Sequence, residues 1–204
     1  MLEAQQLAAQ RGSAVLFANV DFSLRAGEAL LITGANGSGK TTLMKIVAGM
    51  TRSAAGRLVW QGTVVVPFDA ALRASALYVG HASALNDELT AEENLVALLR
   101  LHGAAADGAA IRAALGAWSL DAQRQLPARA LSQGQRRRVS LARLRLQRRE
   151  VWILDEPTSA LDADGVALLE QHISTHLAGG GIALIATHHD LALTSGAQRK
   201  LHLQ

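Results

Sequence analysis

The chain has 204 residues, enough for one well-cored domain and too few for two ordinary ones. Half are hydrophobic but only 3% aromatic, so the core must be built from Ala, Val, Leu and Ile. The net charge is +3 and cysteine is absent, which excludes disulfides and thiolate metal sites.

In chain order, residues 1–33 read as short strands: Leu16 to Leu24 alternates loosely, Ala26-Gly27 turns the chain, and Ala29 to Thr33 is a buried apolar strand. MLEAQQLAAQRG lacks the basic-then-apolar order of a signal peptide, and no run of 18 apolar residues follows anywhere. A glycine-rich loop, Gly34 to Gly39, leads into a helix from Thr41 to Ala48. Gly56 to Val66 reads as strand, and Leu77 to Val79 as a short one.

Thr90 with Glu93 forms a capping box, which predicts a helix from Thr90 to about Leu101. Gly103 to Gly108 breaks it, a second helix runs from about Ala109 to Trp118, and this Ala-rich stretch ends near Pro127. Helix (Gln135 to Gln147), strand (Val151 to Leu154), helix (Gly165 to Leu177) and strand (Ile182 to Ala186) follow, and the alternation predicts an α/β fold with a parallel sheet.

The most specific motif is Gly34-Ala35-Asn36-Gly37-Ser38-Gly39-Lys40-Thr41, an ungapped G-x-x-x-x-G-K-[ST] between a strand and a helix. Glycines let the backbone wrap a polyphosphate with N–H groups inward, and the helix N-terminus adds positive potential. Lys40 is placed to reach the β- and γ-phosphates of ATP and the Thr41 hydroxyl to ligate Mg²⁺, with Thr42 beside it. Next, the apolar strand from Val151 ends in Asp155-Glu156-Pro157. In a phosphate-loop enzyme the first carboxylate holds the Mg²⁺ shell and the second orients a water against the γ-phosphate.

Seven arginines lie between Arg136 and Arg149. They read either as a nucleic-acid contact or as a solvated helix face near a polyphosphate or a membrane surface; the lack of interleaved aromatics favours the solvated face. His172 and His176, four apart, have metal-ligand spacing but no third ligand, and also read as a solvated face.

Leu131-Ser132-Gln133-Gly134-Gln135, ahead of the arginine-rich helix, resembles the signature motif of the ABC-type ATPases, with Gln133 where the usual sequence has Gly. Ser159-Ala160-Leu161-Asp162 resembles the family's segment that communicates across a dimer, and Thr187-His188 its switch histidine. The resemblance covers nearly the whole chain. It implies a P-loop NTPase (RecA-like) core with a mostly parallel sheet, an N-terminal antiparallel β subdomain and a helical subdomain inserted at about residues 82–134, within one ATP-binding domain over residues 1–204. It implies catalysis by Glu156, His188 and Lys40, nucleotide contacts from residues 34–42 and from Ser132, Gly134, Gln135 and Asp162, and Mg²⁺ contacts from Thr41, Asp155 and His81. Two positions depart. His81 in Tyr78-Val79-Gly80-His81 stands where the family carries a Mg²⁺-sensing, partner-coupling Gln; Arg11 stands where an aromatic stacks on adenine, while Phe17 reads as core.

The short chain, Gly80-His81, the segment Glu88 to Leu95, Ser140-Leu141-Ala142-Arg143-Leu144 and the Gly179–Gly181 turn look most like the ATP-binding subunit of the bacterial haem exporter of cytochrome c maturation. That implies a homodimer of ATPase subunits at the cytoplasmic face of the inner membrane, held there by integral membrane subunits, with no nucleic-acid partner. Another small ABC exporter, a soluble nucleic-acid-handling ABC ATPase and a P-loop kinase are the alternatives. The second lacks its usual coiled-coil insert or doubled cassette here, and the third would not need the Ser132 motif.

Overall fold

A computed structural model describes residues 1–105 and 107–203. The chain divides into two compact units. The first takes Met1–Tyr78, Arg149–Glu156 and the chain from Ile173 onward; the second takes Val79–Arg148 and Pro157–His172.

The first unit contains an antiparallel sheet. Strands β1 (Leu2–Arg11) and β2 (Ala14–Leu24) form a long irregular hairpin, and β4 (Ala55–Trp60) and β5 (Thr63–Val65) complete the order β2-β1-β4-β5. The single strand expected from Gly56 to Val66 is instead this second hairpin. Gln61 (φ 50°) and Gly62 (φ 82°) both take the left-handed conformation that a two-residue turn between paired strands requires.

The other sheet has the order β6-β7-β8-β3-β9, from β3 (Glu28–Gly34), β6 (Ala76–Val79), β7 (Val151–Asp155), β8 (Ile182–Ala186) and β9 (Ala197–Leu203). Strand β8 runs parallel to β3 and to β7, and β9 runs parallel to β3. Strands β7 and β8 are buried along their whole length, as parallel strands covered on both faces must be, and this is why they read as continuous apolar runs. Strand β9 (AQRKLHL), exposed along most of its length, and the short helix α2 (Ala70–Ser75) lie where the apolar pattern predicts no element. Helix α1 (Lys40–Val47) buries Leu43, Met44, Ile46 and Val47 in a core shared with Leu30, Ile32, Ile153 and Leu184.

In the second unit α3 (Ala91–Leu101), α4 (Gly108–Gly116) and α5 (Gln133–Leu146) pack on one another, and Trp118, just past the end of α4, is fully buried. The Thr90–Glu93 capping box forms as the spacing predicts: Thr90 N donates to Glu93 Oε2 at 2.8 Å and Glu93 N to Thr90 Oγ1 at 3.1 Å. Buried Asn94 accepts from Asn86 N (2.7 Å) and donates to Asn86 O, Leu89 O and Thr90 O (3.0 Å each), which fixes the approach to α3. Helix α6 (Ala163–Ala178) runs from the second unit into the first.

Two expectations about solvated faces are corrected. His172 and His176 are half-buried rather than solvated, because each packs on an indole: His172 on Trp118 (ring centroids 4.8 Å apart), and His176 stacked on Trp152 (3.9 Å, planes 3° apart). The arginine-rich helix is not wholly solvated either. Arg137 and Arg143 are 3% and 5% exposed, their guanidinium groups turned to backbone carbonyls and to His102 respectively.

Candidate functional site

In the first unit three parallel strands end side by side. Across β3, β8 and β7, Ile32 pairs with Ala186 and Ala186 with Asp155, so the segments that leave these strands emerge from one edge of the sheet. The carboxyl edge of a parallel sheet is where α/β folds place ligands. The segments are the loop from Gly34, the Asp155-Glu156 pair and Thr187-His188. Two backbone bonds knit them, Thr187 N to Ile32 O (3.1 Å) and Glu156 N to Ala186 O (2.9 Å).

The loop from Gly34 to Gly39 needs its glycines for space as well as conformation. A Cβ on Gly34 (φ 143°) would lie 2.4 Å from Leu203 O and 2.7 Å from Ser38 Oγ. One on Gly39 (φ 94°) would lie 2.8 Å from the Phe17 ring. Phe17 is buried, as its core reading requires, and braces the loop from beneath. Lys40 is also buried, and its Nζ donates to Gly34 O (2.8 Å) and Ala35 O (3.1 Å), so the cation is folded back against the loop's own carbonyls. Ser38 Oγ is buried with no hydrogen-bond partner among the described residues. A glycine-rich loop that ends at a helix N-terminus, with a lysine folded back on it and an unsatisfied hydroxyl, fits a polyphosphate. For Mg²⁺, the Thr41 hydroxyl and the buried Asp155 carboxylate are the hard oxygen donors that this ion takes. Asp155 Oδ2 accepts from Tyr78 OH at 3.4 Å.

Glu156 and His188 are brought together: His188 Nε2 stands 3.3 Å from Glu156 Oε1. Glu156 sits at φ 49°, a conformation costing a non-glycine residue about 1–2 kcal/mol and concentrated at functional sites. Thr187 is fully buried, and its Oγ1 accepts from His189 N (3.0 Å), which shapes the turn that presents His188. Thr187 is read in the sequence only as the residue before His188, and Tyr78 only as the start of the Tyr78–His81 segment; neither is assigned a role in this site there. Arg11 is exposed at the end of β1.

In the second unit Ser132 N-caps α5 through a capping box with Gln135: Ser132 N donates to Gln135 Oε1 (2.9 Å) and Gln135 N to Ser132 Oγ (3.2 Å). The next residue but one, Gly134, is small because a Cβ there would lie 2.8 Å from Ala160 O. Asp162 pairs with Arg138 and accepts from Gly165 N (3.0 Å), and the Arg138 bond holds its carboxyl below the usual carboxylate range. His81 is exposed in the loop after β6. Among the described residues no cluster of three or more His, Asp or Glu is placed to hold a metal ion.

The ABC transporter family matches residues 17–159. Over 198 residues the chain is 44% identical to the cytochrome c biogenesis ATP-binding export protein CcmA of Cupriavidus necator, covering 97% of this chain and 86% of that protein. It is 45% identical over 202 residues to the protein of the same name from Pseudomonas putida, covering 99% and 96%. Among solved structures, a dimeric ATP-binding cassette bound to ADP and phosphate superposes with a TM-score of 0.86 at 22% identity, covering 100% of this chain and 94% of that one. At that identity the superposition speaks for the fold.

Proposed function

This chain belongs to the ABC transporter family, and we propose that it is the ATP-hydrolysing subunit that powers haem export in cytochrome c biogenesis. It binds ATP and is an ATPase; the single observation that carries the chemistry is the Glu156–His188 pair at the sheet edge from which the phosphate loop also leaves. The loop N–H groups and Lys40 hold the β- and γ-phosphates. Thr41 and Asp155 would hold Mg²⁺, which when bound neutralises charge on the phosphate oxygens. Glu156 orients the attacking water and accepts its proton, while His188 holds the Glu156 carboxylate and faces the γ-phosphate. General-base help of this kind contributes about 10²–10⁴-fold.

The whole chain acts as one ATP-binding domain with its helical insert near residues 82–134. Two copies form the working dimer, the α5 N-terminus with Ser132, Gly134 and Gln135 addressing the nucleotide on the other copy and Asp162 lying in the segment between them. No described helix is long and apolar enough to cross a membrane. The names of the related export proteins support a role beside integral membrane subunits, with this chain peripheral at the cytoplasmic face of the inner membrane.

The test is Glu156→Gln. Nucleotide affinity is retained, steady-state hydrolysis falls by at least about 10²-fold, and an ATP-dependent dimer accumulates on size exclusion. Native turnover in this variant rejects the assignment. Pull-down from native membranes tests the partner reading: recovery of cytochrome-biogenesis membrane subunits supports it, and recovery of an unrelated exporter's subunits rejects it.

A further inference from the structure

Arg137 sits five residues past the Ser132 cap on α5, in the run that reads as a solvated basic face, yet it is 3% exposed. Its Nε donates to Pro157 O (3.2 Å), and one terminal nitrogen donates to Gly80 O (2.7 Å) and His81 O (3.3 Å). One guanidinium thus gathers carbonyls from the Gly80–His81 loop and from the residue that follows Glu156. A buried cation is tolerated only where its donors are satisfied, and a planar fork of five donors suits this better than any other side chain.

The carbonyls it holds matter because of what they flank. Glu156 is strained at φ 49°, and strain of this kind persists only where the surroundings over-determine it. On its amide side Glu156 N bonds Ala186 O; on its carboxyl side the next residue, Pro157, has no N–H to give, and its own carbonyl oxygen accepts from Arg137. We propose that Arg137 is a positioning residue for hydrolysis: by holding the Pro157 carbonyl and the Gly80–His81 loop to α5, it anchors the chain one residue past Glu156 and so limits how far that backbone, and the carboxylate it carries, can turn. The inference rests on the reading of Glu156 as the residue that activates water. It predicts an effect on turnover and not on nucleotide capture, because the phosphate loop has its own supports in Phe17 and Leu203.

The experiment compares the full chain with Arg137→Met, Arg137→Lys and Glu156→Gln, measuring kcat, KM for ATP, affinity for a fluorescent ATP analogue and thermal midpoint. Displacing a catalytic group by about 1 Å costs on the order of 100-fold. Arg137→Met is therefore expected to lose about 10- to 100-fold in kcat, with KM and analogue affinity within about twofold of native. Arg137→Lys, which keeps a charged donor without the fork, recovers part of that loss. If Arg137→Met does not fold, the lysine variant decides: reduced kcat at native KM supports the proposal, and native kcat overturns it. A fall in kcat matched by an equal loss of analogue affinity also overturns it, since that is general loosening of the fold. If Glu156→Gln hydrolyses ATP normally, the underlying reading fails and this inference with it. If Glu156→Gln is inactive while the Arg137 variants turn over normally, the role of Arg137 alone is rejected.

Discussion

Replacing Gly39 with alanine tests whether the phosphate loop is held open by what lies beneath it. The residue sits at φ 94°, and a methyl group would approach Phe17 Cδ1 to 2.8 Å and Leu16 Cβ to 3.1 Å. A non-glycine residue in left-handed backbone costs about 1–2 kcal/mol, and forcing a methyl into packed surroundings costs a further ~1–3 kcal/mol. Phe17 is 6% exposed and has no room to retreat. The sum, roughly 2–5 kcal/mol, has two places to appear. If the loop keeps its shape, the thermal midpoint falls, by about 2–4 °C per kcal/mol for a chain of this size. If the loop relaxes away from the ring, the cost falls on nucleotide affinity, tenfold for about every 1.4 kcal/mol, or roughly 30-fold to several thousand-fold. Thermal melts with and without ATP, paired with a fluorescent-nucleotide titration, read both. Gly12→Ala is the control: Gly12 has φ 60° but nothing within 4 Å of its Cβ position, so it carries the backbone cost without the clash. A Gly39→Ala protein whose melting and affinity match those of Gly12→Ala would refute the claim that Phe17 and Leu16 brace the loop.

Two further outcomes are expected. Burial lowers the pKa of His172 and of His176, with Arg145 adding to the effect at His172. The folded chain then binds fewer protons at these rings than the unfolded chain does. Their contribution is whole above the unfolded imidazole value of about 6.5 and is lost as pH falls from there through the lowered folded values. The midpoint should drop between about pH 7.5 and 5.5, and His172→Gln with His176→Gln should flatten that slope; an unchanged slope rejects the account. Separately, His81→Gln, which installs the side chain usual in ABC ATPases there, should change kcat while nucleotide affinity stays native. An unchanged kcat would remove His81 from the turnover mechanism.

The chemistry was more legible in the sequence than the packing around it. The Gly34–Thr41 loop, the Asp155-Glu156 pair and His188 stand at strand ends because a parallel sheet buried on both faces writes itself as unbroken runs such as Val151–Leu154 and Ile182–Ala186. Strand β9 was not legible, because AQRKLHL is an edge strand whose order comes from pairing with β3 rather than from burying a face of its own. The half-buried histidines escaped for a related reason. Their i, i+4 spacing suits a metal or a wet face equally well, and Trp118 and Trp152, which decide the matter, are remote in the chain. Arg137 lies among six other arginines that composition alone cannot tell apart; its carbonyl partners lie 20 to 57 residues away.

The placement of β9 also has a consequence in time. Strand β3 carries the phosphate loop but gains its flanking strands only from β8 and β9, and Thr33 meets Leu201 across 168 residues of chain. At about 5–20 residues per second of synthesis, the strand under the loop waits roughly 10–30 s for its second neighbour. Through that interval the apolar run Ala29–Ile32 is made but not yet covered on both sides. The nucleotide site is thus among the first motifs to be translated and the last to be finished. A ribosome stalled short of residue 197 would display a complete phosphate-loop sequence without the strand that Gly34 packs against.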